Sequence, residues 1–166
     1  ASDVAVQAAL LQQAIAAEVD TDELSLLNSR TAVFEGAGIH FQTATDFRRR
    51  LDENGNVLGH DVVLLRSLSD SIDAPIDVTQ AAGAPIFATN LGIEVGRTGA
   101  GGDPGNLRLG EANLVNVLAA GGVVEGVNGL GSLVFVNDGD LTIGTVNPTG
   151  VSANDVRISA AGALNI

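Results

Sequence analysis

Carboxylates are the only abundant reactive side chains in these 166 residues: 20 Asp and Glu face 8 Arg, with no Lys, no Cys and only 2 His. Asp138 and Asp140 flank Gly139, and Asp155 occupies a comparable turn further along. If repeats stack, such acids gather at one corner and offer the hard oxygen donors that calcium takes in sets of roughly six to eight. The glycine-rich nonapeptide of calcium-binding β-rolls is absent, and Gly101-Gly102-Asp103-Pro104-Gly105 matches it only in part. The EF-hand spacing fails as well, because Gly55 directly follows Asn54. Solvated turn acids are therefore expected and no cofactor is assigned, with a calcium-stabilised secreted module as the alternative.

Paired carboxylates also hydrolyse glycosidic bonds when held at a defined separation. Asp70, Asp73 and Asp77 are candidates, and a lyase would draw its charge neutralisation from Arg because Lys is absent. Nothing in their spacing distinguishes them from surface acids, so a polysaccharide-active enzyme is the runner-up and no catalytic residue is assigned. His40 and His60 are too few and too separate to define a metal site or triad. The stretch GRTGAGGDPG (96–105) lacks the Lys-Ser/Thr of a phosphate loop and no helical pattern follows it, which leaves a corner loop. Arg48-Arg49-Arg50 runs against the acidic balance. It suits contact with an acidic neighbouring subunit or an anionic polysaccharide through bidentate guanidinium pairs. A solvated hairpin strand neutralised by Asp46, Asp52 and Glu53 is the favoured expectation.

A formal charge of -12 argues against nucleic acid or anionic membranes as partners, since both need cationic surface. Without Cys there are no disulfides, thiolate metal sites or thiol nucleophiles. At 45% apolar residues the chain is too hydrophobic for disorder. No uncharged apolar run approaches the roughly 18 residues that cross a bilayer, so no transmembrane segment is expected. The length suits one domain over 1–166, a size at which folding buries roughly 70% of the unfolded surface. A start at Ala1, with neither Met nor a signal-like stretch, is expected of a piece processed or excised from something longer.

The elements that must carry these groups are short strands. Tripeptides with apolar residues flanking a polar or variable one recur: Val4-Ala5-Val6, Leu24-Ser25-Leu26, Ile39-His40-Phe41, Ile76-Asp77-Val78, Ile93-Glu94-Val95, Leu107-Arg108-Leu109, Leu141-Thr142-Ile143, Val156-Arg157-Ile158 and Leu164-Asn165-Ile166. In a strand the outer two side chains share one face and the middle one takes the other. The segments LRLGEANLVNV (107–117), LVFVNDGDLTI (133–143) and VRISAAGALNI (156–166) each read strand, turn, strand, and their starts lie 26 and then 23 residues apart. Repetition at that period predicts an all-β parallel solenoid with coils of roughly 23 residues, stacked at about 4.8 Å. Asn90, Asn113, Asn137 and Asn154 are expected at its corners, where Asn tolerates left-handed backbone and bonds its own main chain. Residues 42–66, with Asn54-Gly55 between Leu51 and Val57-Leu58, predict a hairpin or loop excursion from the rod. Residues 5–19 admit a cap helix or two more short strands, and the continuing pattern favours strands.

The run NDGDLTIGTVNPTGVSANDVRISAAGALNI (137–166), and in style NLGIEVGRTGAGGDPGNLRLGEANLVNV (90–117), resemble the degenerate repeats of filamentous-haemagglutinin-type exoproteins and related β-helical adhesins. The resemblance, strongest over 90–166, implies export to the cell surface or medium as part of a long protein. It also implies a structural or adhesive role, self-association end to end or laterally, and a cell-surface or matrix polysaccharide as a possible partner.

Overall fold

A computed structural model describes residues 2–3, 30–98, 101–122 and 130–166. Every strand in it but one short pair belongs to a single parallel stack, because the chain returns to the same two directions once per coil. One wall, sheet A, is laid down by β1 (Ser2–Asp3), β3 (Ile39–Phe41), β8 (Val78–Gln80), the start of β10 (Leu107–Gly122), β11 (Ser132–Asn137) and β13 (Asp155–Ala160). The other, sheet B, holds β2 (Thr31–Gly36), β4 (Thr45–Asp46), β7 (Val62–Ser69), β9 (Ile86–Arg97), the rest of β10, β12 (Leu141–Ile143) and β14 (Leu164–Asn165). The chain is thus a parallel β-solenoid of about 5 turns.

Alternation drives the packing. On sheet A, Ile39, Val78, Leu107, Leu133 and Val156 stack in register as one inward ladder. On sheet B, Ala32, Val63, Leu91, Leu118 and Ile143 form another, with Phe34, Leu65, Ile93 and Ala120 beside it. From Ile39 to Leu133 and from Ala32 to Leu118 these side chains are essentially excluded from water. Burying one Leu, Ile or Phe contributes about 1.5–3 kcal/mol, so the ladders dominate stability. The aromatic residues concentrate in the early coils, where Phe47 packs against Phe34 at 5.5 Å and edge-on to Phe41 at 6.1 Å between ring centroids.

Two refinements to the sequence expectation concern scale. Sheet-B strands run well beyond tripeptides, to 8 residues in β7, 12 in β9 and 16 in β10. In β10 one strand turns the corner between the walls through a register shift between Leu109 and Asn113. The coils also taper. The stacked residues Val62, Asn90, Val117, Thr142 and Asn165 are separated by 28, 27, 25 and 23 positions, so the expected length belongs to the last turn. Part of the extra length lies in β10 itself, where the four positions from Leu109 to Asn113 face the two from Phe135 to Asn137.

The excursion is smaller than 42–66. β4 and β7 belong to the stack, and the chain leaves it only between Phe47 and His60, whose N–H closes the neck on the Phe47 carbonyl at 2.7 Å. Beyond the neck, β5 (Arg50–Leu51) and β6 (Val57–Leu58) pair antiparallel around Asn54-Gly55. Gly59 is required at the neck: its φ is +73°, and a Cβ there would overlap the Arg48 carbonyl oxygen. The segment 5–19, assigned to strands or a cap helix from sequence, lies outside the described residues, as do the tripeptides at 4–6 and 24–26.

Candidate functional site

Outward-facing positions of sheet A form rows along the rod. In the row that opens the strands, the Asp77 carboxylate accepts from the Asn106 N–H at 2.8 Å. Asn106 Oδ1 in turn accepts from the N–H and hydroxyl of Ser132 at 3.0 and 2.9 Å, and Asp155 is in register next to Ser132. The next row reads His40, Thr79, Arg108, Val134 and Arg157. His40 Nδ1 and Thr79 Oγ1 share a 2.7 Å hydrogen bond, which ties the first two rungs together.

The arginines divide sharply. Arg48 forks onto the Asp46 carboxylate with two contacts of 2.9 Å, and its guanidinium lies 5.0 Å from the Phe87 ring centroid. Arg49 reaches Asp61 at 3.5 Å, and Arg50 donates to the Arg48 and Asp46 carbonyls at 3.0 and 3.2 Å. Arg30 is 4.0 Å from Asp61, and Arg66 bridges Glu35 and Glu94, both at 3.1 Å. Arg97 donates to the backbone carbonyls of Asp103 and Ser71. Arg108 and Arg157 are exposed and make neither an ion pair nor a hydrogen bond among the described residues. They flank Val134 in register, which sets their backbones two strand spacings apart, about 10 Å. With Gly110, Ser132, Val134 and Asp155 they line an open depression of about 270 Å³.

The Arg48–Arg50 triplet therefore stands in the hairpin neck, engaged with the expected Asp46 and with Asp61 rather than Asp52 and Glu53. Partial burial pushes the Asp46 carboxyl up, but hydrogen bonds from the Arg48 side chain and N–H, with the charges of Arg48 and Arg50, outweigh it and hold the carboxyl low. Asp52 instead caps the hairpin turn. Its Oδ1 accepts the N–H groups of Asn54 and Asn56, both at 2.8 Å, and these bonds, that from Asn56 foremost, lower its carboxyl too.

The acids considered for calcium do not converge. Asp138 and Asp140 follow β11, whereas Asp155 opens β13 at the other end of the sheet-A strands. Asp140 Oδ1 accepts the Ala163 N–H at 2.7 Å, which fastens one turn to the next. Among the described residues, no three His, Asp or Glu side chains lie close enough to share a metal ion. Asp70, Asp73 and Asp77 are exposed on the loop between β7 and β8, with Asp77 committed to Asn106. No helix among the described residues is long and apolar enough to cross a membrane.

Sequence reasoning placed the Asn residues at corners but did not find what they bind. Asn113 and Asn137 are buried and point inward, joined in one ladder. Asn113 Oδ1 accepts from Ile86 N–H at 2.8 Å and Gln80 Nε2 at 2.5 Å, while its Nδ2 faces the Leu109, Glu111 and Val136 carbonyls, each at 3.0 Å. Asn137 repeats the device one coil later on Val115, whose N–H it accepts at 2.8 Å. These bonds satisfy the backbone groups that the turn from sheet A to sheet B leaves unpaired. The isolated Arg108 and Arg157 were also missed as a pair, although both occupy the middle of a recognised tripeptide. No family model, curated protein or solved structure matches this chain.

Proposed function

We propose that this chain is an extracellular structural or adhesive segment, the subunit of a surface filament or matrix fibre of the filamentous-haemagglutinin type. The observation that carries this reading is the parallel stack itself, in which the strands of successive coils pair in register along one axis. β13 and β14 each pair on one side only among the described residues, with β11 and β12. Val156 is in register with Leu133 and Leu164 with Leu141, so the inward ladders run on into these strands. A second copy adding its own strands in the same parallel sense would extend the rod without new architecture. Motifs across 90–166 supply the likeness to adhesin repeats, and the stacked coils supply length.

Sedimentation velocity over a range of concentrations tests this. Wild-type chain should grow into larger species as concentration rises, and Val156→Lys with Leu164→Lys, which place charge in the inward ladders of β13 and β14, should keep it monomeric. Wild-type chain that stays monomeric at the highest concentration overturns the reading. Localisation is tested by protease treatment of intact source cells, where protection of the protein would contradict surface display.

A further inference from the structure

We infer that the strip formed by Arg108, Val134 and Arg157 on the outer face of sheet A is a binding site for a linear polyuronate, a polysaccharide carrying widely spaced carboxylates. Six of the 8 arginines are held by carboxylates or backbone carbonyls of this chain, and among the described residues only Arg108 and Arg157 are left uncommitted. Register places these two in one outward row with Val134 between them. A protein of net charge -12 that keeps two unpaired guanidinium groups in line presents its free cationic valence along the rod axis. Guanidinium groups pair with carboxylates bidentately, which fixes the orientation of a bound acid.

The rest of the strip narrows the partner. Nothing within 4 Å would meet a side chain at Gly110, so the floor beside Arg108 is open. Half-buried Val134 gives an apolar platform for the C–H face of a sugar ring between the two cations. Along the neighbouring row Ser132 and Asp155 offer a hydroxyl and a carboxylate. A carboxylate beside the cations repels a densely charged polymer such as nucleic acid, with one charge per about 1.7 Å of duplex, yet accepts hydrogen bonds from sugar hydroxyls. Cations about 10 Å apart suit a chain whose charges are sparse. A protein partner needs roughly 800 Å² of complementary surface on each side, with an apolar centre, more than Val134 and its neighbour Val136 supply.

The choice of a polysaccharide partner rests on the adhesive reading above, and the test reads it separately from assembly. Purified chain is titrated against polygalacturonate, with dextran as the neutral and dextran sulfate as the densely charged polymer, by calorimetry and by retardation in polymer-containing gels. The expected result is binding of polygalacturonate that weakens with salt, about tenfold weaker binding on losing either guanidinium in Arg108→Gln or Arg157→Gln, and none detectable in the double variant. Arg48→Gln should bind as wild type. Both Arg108 and Arg157 are exposed, so the variants keep their far-ultraviolet dichroism and melting temperature. Absence of polygalacturonate binding, preference for dextran or dextran sulfate, or binding unchanged in the double variant each overturns the inference. A chain that binds but stays monomeric would retain this site and lose the filament, and one that assembles without binding would do the reverse.

Discussion

Replacing Asn113 by Ala removes the group on which one corner of the solenoid turns. The amide accepts the N–H of Ile86, which is fully buried, and faces three carbonyls that no side chain of Ala can reach. A buried donor left without its acceptor costs about 1–3 kcal/mol, and the carbonyls that lose their donor add to it, so about 3 kcal/mol is expected. For a domain of this size each kcal/mol moves the melting temperature by about 2–4 °C, which predicts a fall of about 6–12 °C. Asn113→Asp keeps the shape and the acceptor but turns a carboxylate toward those carbonyls, so it should lose at least as much. The surface control Asn165→Ala should stay within about 0.5 kcal/mol. Urea denaturation gives the energy, and amide exchange locates it, with Ile86 losing protection first. If Asn113→Ala matches the surface control and Ile86 exchange is unchanged, the corner does not depend on the Asn ladder and the reasoning fails.

Gly92 lies on the outer side of sheet B, where a Cβ would overlap the carbonyl oxygen of Asn147 in the 144–150 strap. Gly92→Val should cost about 1–3 kcal/mol and open the strap to proteolysis, and an unchanged digestion pattern would count against that packing. The carboxyls of Asp46 and Asp52 are lowered below their ordinary 3.8. Their contribution is therefore present above that value and lost as pH falls through the lower native values. The Asn54 and Asn56 amide resonances should titrate with a midpoint below 3.8, and a midpoint at or above it would contradict the hairpin cap. Since Asp138, Asp140 and Asp155 do not converge, adding a chelator should leave the melting temperature unchanged, and a drop would reinstate calcium.

Period and alternation made much of this fold legible. The starts of three strand-turn-strand segments, 26 and 23 residues apart, turn out to be register partners, with Leu107 facing Leu133 and Leu133 facing Val156. The hairpin was legible because Asn54-Gly55 is a local turn signal, and Leu51 pairs with Val57. What stayed hidden depends on which coil lies next to which. Spacing placed Asn113 at a corner but could not reveal that its amide serves Ile86, 27 positions earlier. The commitments of the arginines were hidden likewise: Arg66 finds Glu35 and Glu94 in the coils on either side, 31 and 28 positions away. The conspicuous triplet at 48–50 drew attention by its charge density, whereas solitary Arg108 and Arg157 become a pair only once the coils are stacked.

Fibre diffraction from concentrated, aligned material tests the account most directly. A solenoid whose coils stack along the fibre should give a meridional reflection near 4.8 Å, from strands stacked perpendicular to the long axis. Material that will not align, or that places that spacing on the equator, would contradict it.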